Sequence, residues 1–342
     1  MTERVADVAV IGAGAIGLLS ALELLRRGRQ VTVFDNAPAR HPASWAGGGI
    51  LSPLFPWRYS DALTLLTRNA VHDYQSLAAD LSVDIGVLPQ GLLAVTDEDH
   101  DVRNWCQRHD MHAERRPEGW FFPALGSLRN PWLLGRLREH LQASGVLFIS
   151  RQVTRIRDFP SALGLELDGA GNECRFRQIV VAAGAWSAGL LSPWGVQLPV
   201  TPVKGQMLLW DLGDDCPDTV WLSDSGYFIP RGEGLCLFGS TIEPDFDSPM
   251  PDRQGYEQLC ARARVLKPEL AGRDPQAIWA GMRPGNTRNE PYIFPADEER
   301  RLWVNTGHYR NGLVAAPASA RLMVQWMSGE PLEFDPTPYG VL

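Results

Sequence analysis

Basic residues form no run longer than a pair in this sequence. Arg26-Arg27, Arg115-Arg116 and Arg300-Arg301 are only pairs, and the formal net charge is −8 over 342 residues. That argues against nucleic acid or an anionic membrane surface as a main partner. Cysteine is scarce as well. The five (Cys106, Cys174, Cys216, Cys236 and Cys260) are scattered, odd in number and free of any C-x-x-C spacing. Reduced thiols are therefore expected rather than a disulfide framework or a zinc pattern. The nearest local cluster, Cys106 with His109 and His112, lies in a polar stretch and reads as a solvated helix face, so no metal is expected. Long apolar runs are missing too. Val8 to Leu22 is uncharged, but it is shorter than the ~18 residues a membrane span needs. The expectation is a cytoplasmic protein with no membrane span. Neither an internal repeat nor a low-complexity linker occurs, and the length suits about two domains.

What is present begins with a phosphate-cradling turn, Gly12-Ala13-Gly14-Ala15-Ile16-Gly17. An apolar strand (Val8 to Ile11) precedes it, an apolar helix (Leu18, Leu19, Leu22, Leu25) follows, and a second strand, Val31 to Phe34, ends on Asp35. Strand, G-x-G-x-x-G, helix, strand and acid in that order are what an adenine-dinucleotide site requires. Gly12 permits the tight turn, Gly14 lets backbone N–H groups approach a diphosphate, and Gly17 lets the helix pack closely. The helix N-terminus offers free N–H groups to the phosphates. The motif implies redox chemistry and leaves NAD and FAD equally open.

Further along, Gly47-Gly48-Gly49 sits in a loop followed by Ile50, Leu51, Leu54 and Phe55. Three glycines have no side chains to pack, so they suit backbone lying flat against something; the apolar residues behind them argue against a free surface loop. Asp61 to Leu81 reads as one helix, Gly91 to Val95 as a strand, and Asp97 to Glu118 as polar with no clear period. Pro131 to Ala143 reads as a helix, and Gln178 to Gly184 as a buried parallel strand. Between Pro199 and Gly239 the pattern changes to strands such as Met207 to Trp210, Tyr227 to Pro230 and Leu235 to Phe238, as in an antiparallel sheet. Leu302 to Thr306 is again a buried strand, running through Gly307-His308-Tyr309-Arg310-Asn311-Gly312 into an apolar helix, Leu313 to Met327. The fold class is therefore α/β: a Rossmann-like dinucleotide domain with an inserted, mainly antiparallel-sheet domain. The expected boundaries are 1–85, 145–198 and 280–342 for the first, and 86–144 and 199–279 for the second.

Seven stretches carry a resemblance. They are Val10 to Gly17, Ser44 to Ser60 (SWAGGGILSPLFPWRYS), Val181 to Ser187 (VAAGAWS), Pro202 to Met207 (PVKGQM), Gly226 to Arg231 (GYFIPR), Trp279 to Gly285 (WAGMRPG) and Gly307 to Pro317 (GHYRNGLVAAP). The chain resembles the FAD-dependent D-amino-acid oxidase family, and within it the bacterial glycine oxidases of the thiamine-pathway type.

The resemblance implies FAD, held non-covalently, rather than NAD. Gly12, Ala13, Gly14, Ala15, Ile16 and Gly17 would hold the diphosphate end, and Asp35, with Asn36 beside it, the adenosine ribose. Ala43, Ser44, Gly47, Gly48, Gly49 and Ile50 would line the flavin, and Val153 would touch the adenine side. Ala183 and Gly184, with Trp186 nearby, would close over the cofactor. His308, Tyr309, Arg310, Asn311, Gly312, Leu313 and Val314 would run beside the isoalloxazine ring, where a helix N-terminus can stabilise the negative charge of a reduced flavin.

For the substrate, the resemblance assigns Arg283 to the carboxylate, which a planar guanidinium binds bidentately; the competing reading is a structural ion pair. Tyr227 would add a hydrogen bond, against the alternative of a core tyrosine. Arg310 would lie near flavin and substrate, and Ile242 would help wall the pocket. Ser225 stands where some relatives carry histidine, so no histidine-assisted role is carried over. Trp45, Phe55, Trp57 and Tyr59 are candidate walls or simply core.

The implied reaction is hydride transfer from a small amino acid to the flavin with no protein base, giving an imine, then glyoxylate and ammonia, with dioxygen reduced to hydrogen peroxide. A D-amino-acid or secondary-amine dehydrogenase, sarcosine-oxidase-like and using another acceptor, is the alternative. A homo-oligomer is a further implication of the resemblance.

Overall fold

The computed structural model describes residues 5–36, 43–169, 173–244 and 248–341. Contacts divide the chain into two compact units, Met1–Ser44, Leu134–Pro202 and Arg283–Leu342 in the first, Trp45–Leu133 and Val203–Met282 in the second. The first unit is built on a sheet in the order Tyr292–Pro295, Leu302–Thr306, Cys174–Val181, Ala6–Ile11, Val31–Phe34, Leu147–Ile149. All neighbours are parallel except the first pair. The central strands read as unbroken apolar runs because both faces are covered: Val8, Ala9, Val10, Ile179, Val180 and Val181 are all fully buried. An antiparallel hairpin, Val153–Phe159 and Ala162–Leu167, extends the sheet through Leu163↔Phe176. Helices Ala15–Arg26 and Gly312–Ser328 pack together in this unit.

The second unit carries a sheet in the order Glu243–Pro244, Val200–Asp211, Leu235–Gly239, Gly226–Pro230, Val220–Ser223, Leu92–Ala94, Gly119–Phe122, Glu114–Arg116, with Ala277–Asn286 also paired to Val200–Asp211. Val220–Ser223 pairs with Leu92–Ala94 in parallel. Side chains alternate across its strands. Met207, Tyr227, Ile229 and Leu237 face one core with Ile50, Phe55, Trp57 and Phe122. Leu208, Trp210, Phe228, Cys236 and Phe238 face another, against Leu259, Cys260 and Ala263 of helix Arg253–Leu266. That helix starts on Asp252, whose carboxylate accepts from Gly255 N at 2.9 Å and also meets the buried Lys204 ammonium. The Gly255 N–H first, and Lys204 second, hold the Asp252 carboxyl down at about 2.

Three expectations differ from the structure. The expected boundaries put residues 45–85 in the dinucleotide domain and 134–144 in the other; by packing, 45–85 lie in the second unit, because Ile50, Phe55 and Trp57 fill one face of the antiparallel sheet, and 134–144 lie in the first. Asp61–Leu81 is two helices, Asp61–Thr67 and Ala70–Leu81. At the break Thr67 Oγ1 bonds back to Leu63 O (2.9 Å), which competes with helix continuation. The polar stretch 97–118 contains helix Asp99–His109 and strand Glu114–Arg116. Its apolar stripe is only Val102 and Trp105, too thin to read as a period.

Candidate functional site

In the first unit, register pairs Ile11 with both Val181 and Phe34, Val181 with Val304, and Phe34 with Ile149. The turns after these parallel strands therefore sit side by side along the sheet's carboxyl edge, the place where doubly wound sheets bind ligands. Gly12 has φ +109, and a Cβ there would lie 2.4 Å from Ala182 O. A Cβ on Gly17 would lie 1.9 Å from Gly12 O, so the helix packs on the turn at a separation that only glycine permits.

Two side chains hold the turn. Asp35 Oδ2 accepts from Ala13 N at 2.6 Å, and Ser44 Oγ accepts from Ala15 N at 3.0 Å. Gly14 caps helix Ala15–Arg26 with no side chain, and no acidic residue stands in the first turn to compete with a phosphate. Asn36 is exposed beside Asp35, Ala43 and Ser44 are half-buried, and Val153 is buried at the start of the hairpin.

Next along the same edge, Ala182 N donates to Ile11 O at 2.9 Å. Gly184 has φ +56 with open space where a Cβ would stand, and its carbonyl accepts from Thr306 Oγ1 at 3.1 Å. Ser187 Oγ donates to Thr306 Oγ1 at 2.9 Å, which ties this turn to the end of Leu302–Thr306. Trp186 is half-exposed on it. Beyond Thr306, Gly307 (φ +75) packs on the Tyr292 ring, and Asn286 Nδ2 donates to its carbonyl at 2.9 Å.

His308 is buried with a ring nitrogen 2.9 Å from Ser319 Oγ. Burial pushes it down to about 3, so it is neutral at working pH. A short turn, Tyr309–Asn311, leads into helix Gly312–Ser328, again without an acidic first turn or a side-chain cap. Arg310 is exposed there, while Asn311 and Val314 are buried. This unit thus presents, on one sheet edge, two helix N-termini with no acidic residue in the first turn, which suits an anionic, two-ended cofactor. Arg283 is half-buried between buried Met282 and Pro284 on strand Ala277–Asn286.

The second unit holds the triple-glycine loop. All three carbonyls have donors: Asn130 Nδ2 on Gly47 O (2.8 Å), Arg231 Nη2 on Gly48 O, and Leu128 N on Gly49 O (2.8 Å). A Cβ on Gly48 would lie 2.7 Å from Ile229 Cδ1 and 3.1 Å from Tyr227 Cε2; one on Gly49 (φ +75) would lie 2.2 Å from Leu128 O. The loop is pressed flat between these side chains and the backbone before helix Asn130–Ala143. Ahead of it, Trp279 Nε1 donates to Ala46 O at 2.9 Å. Tyr227 is buried, its hydroxyl 3.7 Å from Met207 Sδ, and it pairs across the sheet with Gly239. Ile242 lies half-exposed beyond that strand. Phe55 and Trp57 are core, Trp57 stacked on Phe122.

Arg231 was not singled out from the sequence. It ends the Gly226–Arg231 stretch, is buried, and donates also to Ser127 Oγ at 2.9 Å. Burial, with Arg129 adding its charge, pushes it down to about 10, and no carboxylate among the described residues faces it. Met207 and Gly239 were also missed; their contacts with Tyr227 come from strand pairing, which no local pattern displays. Among the described residues no cluster of ligands could hold a metal ion, and no helix is long and apolar enough to cross a membrane.

The chain matches the FAD dependent oxidoreductase family over residues 7–326. It is 39% identical to a glycine oxidase of Pseudomonas aeruginosa, covering 99% of this chain and 98% of that one. It is 28% identical to a bifunctional protein ThiO/ThiG of Trichormus variabilis, covering 94% of this chain and 52% of that one. The crystal structure of glycine oxidase from Geobacillus kaustophilus superposes with a TM-score of 0.90 at 26% identity, covering 98% of each chain. The glycines of the turn, the acid-free helix N-terminus and Asp35 fit the adenosine diphosphate end of FAD. With the dinucleotide edge built as this cofactor needs and the likeness running from end to end, the chain belongs to the family of FAD-dependent oxidoreductases.

Proposed function

We propose that the protein oxidises glycine, or an amino acid of similar size, to its imine. The imine goes on to glyoxylate and ammonia or to thiazole formation in thiamine synthesis, and dioxygen is the final acceptor. The observation that carries this reading is the end-to-end likeness to glycine oxidases. FAD supplies a two-electron acceptor for the Cα hydride.

The protein's part is position and electrostatics. We assign the substrate carboxylate to Arg283, whose fork stays charged when half-buried. Tyr227 is assigned a substrate hydrogen bond; among the described contacts its hydroxyl meets only the weak acceptor Met207 Sδ. Arg310 and Ile242 are proposed substrate neighbours. The cofactor is assigned to the two sheet-edge turns, to His308–Val314 and to Gly47–Ile50. His308, neutral and buried, acts as a fixed strut through Ser319 and not as a base.

Product analysis tests the reading. Purified protein with glycine in air is expected to form glyoxylate, ammonia and hydrogen peroxide in equal amounts. Sarcosine and D-alanine, each one methyl larger, are expected to differ from glycine by about 10–200-fold in kcat/KM, since one methyl is worth ~1–3 kcal/mol in a fitted pocket. Reduction by glycine without peroxide formation would assign a different electron acceptor, and no turnover of any small amine would end the reading.

A further inference from the structure

Cys216 and Cys236 lie against each other in the second unit, on the sheet face opposite Tyr227. Cys236 is fully buried on strand Leu235–Gly239, paired with Trp210 and Pro230. Cys216 is partly exposed, at the end of the short turn Gly213–Asp215, and its Sγ lies 3.5 Å from Leu235 O, the carbonyl bonded to the Cys236 nitrogen. Cys216 packs against the apolar cluster that contains Cys236, whose own Sγ lies 3.7 Å from Leu237 O. Among the described residues no other thiols are so paired. We propose that Cys216 and Cys236 form a reversible disulfide when the protein meets a hydroperoxide, of which hydrogen peroxide is the simplest.

The environment separates the two roles. The neighbouring Cys236 thiol first, and the Lys267 ammonium after it, hold the Cys216 thiol below its ordinary value despite burial and the opposing Asp218. The same contact and burial push Cys236 up. Cys216, reachable and more acidic, is the attacking thiol; Cys236 resolves. In the first step the Cys216 thiolate attacks one peroxide oxygen, the O–O bond breaks, and after proton uptake one water leaves with Cys216 as sulfenic acid. In the second, the Cys236 sulfur attacks the sulfenic sulfur, the S–O bond breaks, the Cys236 proton goes with the departing oxygen as a second water, and the S–S bond forms. Two thiols lose two electrons and two protons, and one peroxide becomes two waters. An oxidase would generate this oxidant itself, but the inference does not depend on the glycine reading.

The test treats the FAD-loaded protein with hydrogen peroxide, blocks remaining thiols under denaturing conditions, and maps tryptic peptides. The expected product links peptide 205–231 to peptide 232–253, at two hydrogens less than their summed mass, and is removed by a thiol reductant. Free thiols fall from five to three. Cys216→Ser, a change at a partly exposed site, abolishes the link. In Cys236→Ala, Cys216 oxidises further to sulfinic acid, which reports on the pair even if that buried change lowers stability. Sulfinic acid at Cys216 in the unsubstituted protein with no cross-link, a link through any other cysteine, or five unreacted thiols would each overturn the proposal.

Discussion

The Arg231 guanidinium donates to the Gly48 carbonyl from a buried position that no carboxylate among the described residues neutralises. Its other contacts are Ser127 Oγ and the neighbouring charge of Arg129. A buried cation used only on neutral acceptors is costly for stability. Its local consequence is a fixed carbonyl in the middle of the triple-glycine loop.

This predicts that stability and cofactor affinity separate in Arg231→Met. Losing the donors to Gly48 and Ser127 costs ~1–3 kcal/mol, while removing a buried unpaired charge returns a similar amount. Apoprotein stability in urea is therefore expected to change by about 1 kcal/mol or less, while FAD affinity falls tenfold or more because the loop loses its anchor. Arg231→Lys keeps a charge but not the fork, and is expected to bind FAD poorly as well. Wild-type FAD affinity in both variants would remove the loop from the cofactor site.

The glycines of the first turn are predicted to fail differently. In Gly17→Ala the new Cβ meets Gly12 O at 1.9 Å, and backbone on both sides cannot yield. That variant is expected to lose several kcal/mol and to be recovered poorly. In Gly14→Ala the Cβ meets only Ser44 Oγ, at 3.2 Å. It is expected to fold with near-normal circular dichroism and to bind FAD weakly, because a methyl then stands where the diphosphate approaches. Equal folding defects in the two would contradict the packing described.

How much of this was visible beforehand depended on where the partners lie in the chain. The parallel strands were legible because strands buried on both faces are written as continuous apolar runs, Val8 to Ile11 and Val31 to Phe34 among them. The break between Thr67 and Ala70 was not, since leucines keep helical spacing across it while threonine back-bonding is a matter of geometry. Helix Asp99–His109 was obscured because its two buried residues sit among charges. Gly47–Gly49 declared itself by composition. Arg231 did not, because its neighbours come from residues 47–49 and 127–129 and no local spacing records them.

His308 gives a pH signature. Its folded value of about 3 lies below the ordinary 6.5, so the unfolded chain binds the extra proton between those values. Stability from this group is complete above about pH 6.5 and is lost as pH falls, at up to ~1.4 kcal/mol per pH unit. His308→Gln, which can keep a bond to Ser319, is expected to show a shallower loss of stability between about pH 6 and 4 than the parent, measured by urea unfolding. Parallel pH profiles would mean that His308 titrates normally and is not held neutral.

The central claim is that glycine, held through its carboxylate by Arg283, passes its Cα hydride to FAD. Anaerobic titration of the purified yellow protein with glycine tests it most directly, followed by the same titration of Arg283→Ala. The account predicts full bleaching of the parent by glycine. In the variant, affinity for glycine and for carboxylate inhibitors is expected to be weaker by ~2–5 kcal/mol, with FAD still bound. Wild-type affinity in Arg283→Ala would contradict the assigned role, and a parent protein that glycine fails to bleach would contradict the account itself.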